Sequence, residues 1–185
     1  MANGPIVSSE SELQILVDQD DNTVGFLDKA ACHDGKGLLH RAFSVFILNS
    51  QGEILLQRRS LGKRLWGGFW SNSCCSHPRK GESVVDAAKR RCLEELGIKV
   101  DLRFLYKFSY EAEFENAGSE NELCHVLVGH SEMDPSINRN EILEWRWISR
   151  KDLDEELLYQ GANYTPWLKM EWEAINRDHV DQISR

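Results

Sequence analysis

The sequence predicts a single compact α/β domain in which mixed β-sheets are flanked by helices. Three observations support this fold class. The chain has 185 residues and 41% hydrophobic content, which suits one core. Several apolar runs have the length of strands and are separated by turn residues. One segment, 83–96, has helical periodicity together with a start signal and a stop signal.

In the first half of the chain, the earliest predicted strand is the apolar run Leu13–Val17. We therefore expect residues 1–12 to form a flexible arm and residues 13–185 to form the domain. An apolar run at 41–49 predicts a buried strand, and a glycine-containing turn connects it to a second strand at 53–58. These two strands are expected to pair as a hairpin.

In the second half, the segment 62–78 is rich in Gly, Trp, Ser and Cys without periodicity, which predicts a loop. Long loops inside compact domains usually carry function. Further strands are predicted at 99–111, 122–130 and 142–148. Two helices follow: Ser149 caps the first, which ends near residue 158, and Pro166 begins the second, which reaches about residue 179.

Charge and cysteine usage exclude several classes of protein. The net charge of -8 argues against binding duplex nucleic acid, which requires a basic surface. The five cysteines form neither a CxxC pair nor the framework of a secreted scaffold, so we expect free thiols in a reducing cytosol. No apolar stretch is long enough to cross a bilayer, and the N-terminus lacks a secretory signal pattern. We expect a cytoplasmic monomer without nucleic-acid or membrane partners.

The predicted helix at 83–96 breaks its own amphipathic pattern. Five small or apolar residues occupy one arc of the helical wheel: Val84, Val85, Ala88, Cys92 and Leu96. Arg91 and Glu95 lie on or beside the same arc. They either form an i,i+4 ion pair at the edge of the core or face inward to handle an anion and a metal. Spacing alone leaves both interpretations open.

The same helix resembles the Nudix box, a loop-helix-loop that places glutamates on a magnesium-diphosphate unit. The resemblance rests on Gly81, Glu82, Arg90, Glu94, Glu95, Gly97 and Ile98. It implies a Nudix-like fold. The opening glycine of the box is Ser76 here, and Arg91 stands where the hydrolases have a glutamate that helps to ligate the metal. This cation favours diphosphate binding without diphosphate cleavage.

Potential metal ligands lie in three short clusters outside the helix: His33 with His40, Cys75 with His77, and Glu120 with Glu122. Residues two apart in an extended segment share a face, so the members of the last two clusters project together. Three imidazoles and two carboxylates suit manganese, magnesium or zinc. A single histidine is more often an ordinary hydrogen-bonded residue. It is the joint pattern that indicates a metal site.

Together these segments resemble the type I isopentenyl diphosphate isomerases, within the Nudix superfamily. The resemblance rests on the segment 71–78 (Ser-Asn-Ser-Cys-Cys-Ser-His-Pro), Arg58, Arg59, Lys63, the segments 66–68 and 120–124, Tyr110 and the segment 165–167. The 71–78 stretch is highly specific. Gly67 stands where the family motif has a proline, which is expected to loosen the loop before Cys75.

The resemblance implies an isomerase that interconverts isopentenyl and dimethylallyl diphosphate in isoprenoid biosynthesis. Its catalytic residues would be Cys75, Glu122, Tyr110 and Trp167, with Cys75 and Glu122 as the acid/base groups. One divalent metal would be held by His33, His40, His77, Glu120 and Glu122. Glu95 would bind a magnesium ion that bridges to the substrate diphosphate. The diphosphate oxygens would be contacted by Lys29, Arg59, Lys63 and Arg91.

These residue types suit the chemistry. Moving the double bond requires proton addition at one carbon and proton removal at another, through a tertiary carbocation. A carboxyl group beside a metal, such as Glu122, and a thiol, such as Cys75, supply two proton sites. The ring of Trp167 would stabilise the cation by about 2 kcal/mol, although plain core packing is the commoner role of a tryptophan. Basic residues beside the 71–78 segment suit a diphosphate clamp, although a solvated face is the usual role of such a run.

Two other functions compete with the isomerase. A Nudix hydrolase would cleave a nucleoside or isoprenoid diphosphate and release phosphate. A metal-stabilised sensor would bind diphosphates tightly without exchanging protons with heavy water. The joint presence of Cys75, Glu122 and Tyr110 with Trp167 argues against a sensor, because a binding protein needs no acid/base pair.

Overall fold

The computed structural model describes residues 5–183, and within them nine strands form one hydrogen-bonded sheet with helices around it. The strands are β1 (Leu13–Val17), β2 (Thr23–Asp28), β3 (His40–Leu48), β4 (Ile54–Arg59), β5 (Trp70–Ser71), β6 (Cys74–Ser76), β7 (Leu102–Phe114), β8 (Gly118–His130) and β9 (Ile142–Ile148). The α-helices are α1 (Lys29–Cys32), α2 (Val84–Leu96), α3 (Arg150–Gln160), α4 (Pro166–Ala174) and α5 (Val180–Ile183). A 3₁₀ turn at Gly161–Asn163 precedes α4, and a π-helical turn at Ile175–His179 follows it.

Strand β3 is the centre of the sheet. It pairs in parallel with β8 over its whole length and antiparallel with β6 on its other edge. Strand β8 in turn pairs antiparallel with β7, while β4 pairs antiparallel with β9 and β5. Strands β1 and β2 form an antiparallel pair beside the start of β3. The sheet is therefore mixed, as the sequence predicted.

The predicted hairpin of β3 and β4 is present at its turn but does not continue along the strands. Asn49 N donates to Glu53 O at 3.1 Å, which closes the turn. Beyond it the strands pair only at Leu48 and Ile54, because β4 diverges to pair with β9. Strand β2 and helix α1 were not predicted, and the predicted loop 62–78 contains the short strands β5 and β6.

Helix α2 forms as its capping residues predicted. The side chain of Ser83 accepts a hydrogen bond from Asp86 N, and Gly97 ends the helix with φ of 69° in the left-handed conformation. The buried face contains Ala87, Ala88, Cys92 and Leu96 together with both charged residues of the wheel, Arg91 and Glu95.

The two faces of the sheet are covered by different helices. One core cluster joins alternate sheet residues such as Phe46 and Val126 to Leu168 and Trp172 of the C-terminal helices. The other core joins sheet residues such as Leu127 to α2. Each fully buried Leu, Val or Phe side chain contributes about 1.5–3 kcal/mol of hydrophobic stabilisation. Helices on both faces therefore hold the ends of β3, β6 and β8 in place, where the predicted site residues lie.

Residues 5–12 precede β1 and lie against the folded domain. Pro5 O accepts a hydrogen bond from Asn138 Nδ2 at 2.8 Å, and Ser8 Oγ accepts one from Lys29 Nζ at 2.8 Å. The first strand begins at Leu13, where the sequence placed it, and the boundary between arm and domain stays a prediction. Among residues 5–183, no helix combines the length and the apolar character needed to span a bilayer.

Candidate active site

The predicted metal ligands converge at one end of β3 and β8. His40 and Glu122 are register partners on these strands, and Glu120 lies two residues earlier on the same face of β8. His33 ends α1, and His77 follows β6. Ligand atoms of His33, His40, His77 and Glu120 all lie within 4.8 Å of one another. Glu122 joins them, since its Oε1 is 3.0 Å from His77 Nε2. All five predicted ligands therefore meet.

Backbone carbonyls orient two of the imidazoles. Lys29 O lies 2.6 Å from His33 Nδ1, and Leu38 O lies 2.7 Å from His40 Nδ1. A carbonyl at this distance requires a proton on Nδ1, which leaves each Nε2 as a lone-pair donor facing the cluster. The cluster is thereby preorganised for a cation.

The cluster lacks internal partners for the atoms it buries. His33 Nε2 and Glu120 Oε2 lie 2.8 Å apart, yet both are buried and neither has a partner with hydrogen-bond geometry. His40 Nε2 and His77 Nε2 face each other at 3.1 Å. Two imidazole nitrogens at this distance repel one another unless a proton or a metal ion lies between them. The donor set thus fits a divalent metal.

Electrostatics favour neutral imidazoles beside an ionised carboxylate. Burial lowers the pKa of His40 to about 4 and, with the neighbouring His40, lowers the pKa of His77 well below its usual value. For Glu120, burial acts to raise the pKa, but the adjacent His33 outweighs burial and the pKa falls to about 2. His33 is the exception, because although burial acts to lower its pKa, the adjacent Glu120 raises it overall. The lowered pKa values of His40 and His77 and the ionised Glu120 suit metal ligation, and a bound metal would displace the proton from His33.

Glu122 connects the metal cluster to the predicted catalytic residues. Its Oε2 accepts a hydrogen bond from the hydroxyl of Tyr110 at 2.7 Å, while its Oε1 faces His77. Tyr110 is the register partner of Glu122 on β7, so the pair follows from the strand pairing. Burial and the nearby Glu120 carboxylate raise the pKa of Glu122 well above its ordinary value. The protonated form of this carboxyl group is thereby favoured.

Cys75 approaches the site from β6, on the other edge of β3 from Glu122. Arg59 Nη1 lies 3.5 Å from its Sγ, and Ser71 Oγ lies 3.9 Å away. Burial raises the pKa of the Cys75 thiol to about 11, so the thiol is protonated at neutral pH. Cys74 faces the opposite side of the strand, with its Sγ 3.6 Å from Glu95 Oε1. The two neighbouring cysteines therefore face different surroundings, and only Cys75 lines the smaller cavity.

Trp167, near the start of α4, is held by residues of the segment before Cys75. Its Nε1 donates to Ser71 Oγ at 3.0 Å and to Asn72 Oδ1 at 3.2 Å. The guanidinium of Arg59 lies over the indole ring, 5.1 Å from the centroid. The orienting roles of Ser71 and Asn72 were missed by sequence reasoning, which recorded both residues only as parts of a motif.

Two adjoining cavities are lined by the cations that are predicted to contact the diphosphate. The larger has a volume of about 230 Å³ and is lined by Lys29, Arg59 and Lys63 together with His33 and Glu120. The smaller is lined by Ser8, Lys29, Arg59, Lys63, Cys75, Ser76, His77, Arg91, Tyr110, Glu120, Glu122 and Trp167. The smaller cavity is therefore lined by the predicted acid/base pair, by part of the metal cluster and by all four predicted cations. Burial and the nearby Lys63 lower the pKa of Lys29.

Arg91 and Glu95 form the i,i+4 ion pair that was one of the two predicted interpretations. Arg91 Nη2 lies 2.6 Å from Glu95 Oε1, and both side chains are buried. Arg91 also lines the smaller cavity, so the ion pair and a role in the site coexist. Glu141 was missed by sequence reasoning: its Oε2 contacts Lys63 Nζ and lies 3.5 Å from Arg91 Nη2.

Gly67 lies in a tightly packed part of the loop. A Cβ atom at this position would lie 2.9 Å from Lys63 O and 3.1 Å from Leu61 O. The absence of a side chain thus lets the loop close on itself around the backbone of Lys63. The loosening expected from the sequence is not apparent in this packing.

Comparison with known proteins identifies relatives of this chain. The NUDIX domain family matches residues 38–168. Isopentenyl-diphosphate Delta-isomerase 1 of Photorhabdus laumondii is 43% identical over 171 residues, which are 91% of this chain and 97% of that protein. Isopentenyl-diphosphate Delta-isomerase of Serratia proteamaculans is 38% identical and covers 94% of this chain and 97% of its own. In fold, the chain resembles DR0079 of Deinococcus radiodurans, with a TM-score of 0.70 at 24% identity, covering 91% of this chain and 99% of that one.

Proposed function

The chain belongs to the isopentenyl-diphosphate Delta-isomerase family of NUDIX-domain proteins, and from this premise we infer that it is an isomerase of isoprenoid biosynthesis. It interconverts isopentenyl diphosphate and dimethylallyl diphosphate by shifting the C=C bond within the molecule. One observation carries the assignment of residue roles: Cys75 and Glu122 line a single cavity together with metal-ligand and cationic side chains.

We propose that Cys75 and Glu122 are the two proton carriers. One group adds a proton to the terminal alkene carbon, which produces a tertiary carbocation, and the other removes a proton from a different carbon bonded to the cationic centre. The group that donates in the forward reaction accepts in the reverse reaction, so no proton is gained or lost by the substrate overall. Both side chains line the same cavity from strands at opposite edges of β3, which supports this division.

We propose that His33, His40, His77, Glu120 and Glu122 hold one divalent cation, which is manganese, zinc or magnesium. When bound, such a cation supplies positive charge that favours the ionised form of the Glu122 carboxyl group. The Tyr110 hydroxyl group donates to the other oxygen of this carboxylate and keeps it oriented towards the cavity. Glu122 is thereby able to accept a proton in a buried site.

We propose that the diphosphate binds to the cationic side of the cavities. Lys29, Arg59, Lys63 and Arg91 supply the positive charge, and guanidinium groups match the geometry of phosphate oxygens. Glu95 would hold a magnesium ion that neutralises the diphosphate, and its ion pair with Arg91, which lines the smaller cavity, supports this assignment.

The ring of Trp167 protects the carbocation from water. The Trp167 ring is 3% exposed and its indole N–H is occupied by Ser71 and Asn72, so the ring is fixed in orientation. A cation over its face is stabilised by about 2 kcal/mol when desolvated. Arg59 already occupies such a position, which supports an affinity of this ring for positive charge.

A proton-exchange experiment tests the proposal. Incubation of the protein with isopentenyl diphosphate in deuterated buffer should produce deuterated dimethylallyl diphosphate by NMR, with the diphosphate intact. Cys75→Ala and Glu122→Gln should each abolish turnover in folded protein, whereas Cys74→Ala, on the opposite face of the strand, should retain substantial activity. Equal losses at Cys74 and Cys75 would refute the assignment.

We further propose that the enzyme acts as a cytoplasmic monomer. The five cysteines are all free, and four of them are buried, which suits a reducing compartment. Light scattering of the purified protein tests the monomer, because a dimer would double the mass of 21.3 kDa.

A further inference from the structure

We propose that Glu141 is a positioning residue of the diphosphate clamp, which holds Lys63 and Arg91 in their binding orientations through one buried carboxylate oxygen. The inference rests on the proposed binding of diphosphate by these two cations. Glu141 itself is not expected to touch the reacting carbons.

The contacts of Glu141 connect two separate parts of the site. Its Oε2 contacts Lys63 Nζ, which belongs to the loop after β4, and lies 3.5 Å from Arg91 Nη2, which belongs to α2. Its backbone reaches the same loop, since Glu141 O accepts a hydrogen bond from Ser60 N at 2.9 Å. Glu141 N donates to Asn138 O at 2.9 Å and thereby fixes the residue itself. One residue thus joins loop, helix and the start of β9.

Burial gives these contacts their strength. The Glu141 side chain is only 3% exposed, and Lys63 is 17% exposed, so water screens their attraction weakly. Burial acts to raise the pKa of Glu141, but Lys63, Arg91 and Lys29 outweigh burial and hold the pKa below its usual value. The carboxylate is therefore charged at neutral pH.

The reason for a positioning role is the flexibility of the lysine. A lysine side chain has several rotatable bonds, and immobilising it on a ligand costs conformational entropy that weakens binding. An ion pair to Glu141 places the Lys63 ammonium group at the cavity before the diphosphate arrives. The same carboxylate reduces the mutual repulsion of Lys63 and Arg91 while no substrate is bound.

The chain contains a matched control. Glu144, three residues later, pairs with Arg58 at 2.8 Å, and Arg58 precedes the clamp residue Arg59. The side chains of this second pair are 50% and 40% exposed, and neither residue lines the two cavities of the site. Exposed pairs of this kind contribute little to stability. Glu144→Gln therefore removes a comparable charge three residues away, on β9, without affecting the clamp.

The test compares Glu141→Gln, Glu141→Asp and Glu144→Gln. We expect Glu141→Gln to raise the KM for isopentenyl diphosphate about ten-fold and to weaken the binding of inorganic pyrophosphate, measured by calorimetry, by a similar factor, as is typical within one ion-pair network. The kcat should change little, and Glu141→Asp should restore part of the affinity. Glu144→Gln should match the wild type. In a Lys63→Met background, Glu141→Gln should have a much smaller further effect, because Glu141 acts partly through Lys63.

Several outcomes would overturn the positioning role. One is an unchanged KM and pyrophosphate affinity in Glu141→Gln. Another is a fall in kcat with an unchanged KM. A third is a loss of affinity in Glu141→Gln that is equally large in the wild-type and the Lys63→Met background. If Glu141→Gln fails to fold, Glu141→Asp decides the question: wild-type affinity despite the shorter side chain refutes the proposal, and intermediate affinity supports it. Pyrophosphate binding is measured without turnover, so failure of the isomerase assignment would be seen separately, as wild-type protein that binds pyrophosphate but forms no product.

Discussion

Substitution of Gly118 tests whether the backbone segments around the metal cluster pack closely against one another. This residue begins β8 with φ of 137°, and a Cβ atom added there would lie 2.2 Å from His33 O. The next residue, Ser119, donates its N–H to the same carbonyl at 3.0 Å. Gly118→Ala should therefore displace the segment that carries the metal ligand His33.

The size of the effect follows from the geometry. Close carbon–oxygen contacts in proteins are about 3.3 Å, so His33 O would have to move by about 1 Å. Such overpacking costs about 1–3 kcal/mol, and the unfavourable φ of an alanine costs about 1–3 kcal/mol more. A total of about 4 kcal/mol in a chain of this size corresponds to a fall in Tm of roughly 10 °C. A ligand displaced by about 1 Å lowers activity by as much as about 100-fold.

The measurement combines thermal unfolding with metal analysis of the dialysed protein. Gly35→Ala is the control: Gly35 also has a positive φ, 59°, but no atom lies within 4 Å of its added Cβ. It should show backbone strain alone, with bound metal unchanged. Gly118→Ala should lose both bound metal and thermal stability. A Gly118→Ala protein with full metal occupancy and the Tm of Gly35→Ala would refute the close fit at His33.

Three further predictions concern other parts of the site. His77→Ala should lower bound metal and activity together. His125→Ala should lower neither, because the His125 ring pairs with a carboxylate on the other face of β8. Full metal occupancy in His77→Ala would refute the shared site. Glu95→Gln should raise both the magnesium requirement and the KM while the His/Glu metal is retained. The control Glu94→Gln should have little effect. A lower Tm with unchanged kinetics in Glu95→Gln would instead identify a purely structural ion pair. Burial raises the pKa of Glu171 from 4.5 to about 8, so the folded chain keeps a proton that the unfolded chain loses as the pH rises through this interval. Wild-type stability should therefore fall between these pH values, and Glu171→Gln should gain roughly 3 kcal/mol relative to wild type at pH 8 but little at pH 5, as measured by urea unfolding.

Local patterns in the sequence were sufficient to predict most of the helices and strands. The caps of α2 act between neighbours in sequence, so Ser83 and Gly97 predicted the ends of the helix correctly. Side-chain alternation along a strand is likewise local. It correctly placed Glu120 with Glu122 on one face of β8 and Cys75 with His77 at one cavity. The histidines were grouped through the family resemblance, and the structure brings them together as expected.

Pairing between distant strands could not be read in this way. The hairpin of β3 and β4 was predicted from a good turn, but a turn determines only the first pair of residues. The partner of β4 is β9, more than eighty residues away, and this pairing depends on which apolar faces the whole chain can bury together. Strand β2 has only half-buried and exposed residues, so its sequence contains no apolar pattern that predicts a strand. The strand is defined by its pairing with β1.

The same distinction separates the two classes of residue in the site. Residues that act on substrate or metal have chemistry that is visible in a motif, as with Cys75 and His77. Glu141 is one ordinary glutamate before a predicted strand, and its importance arises from Lys63 and Arg91, which lie 78 and 50 positions earlier in the chain. The free energy of such a contact depends on distance and on exclusion of water, and both are properties of the folded protein alone.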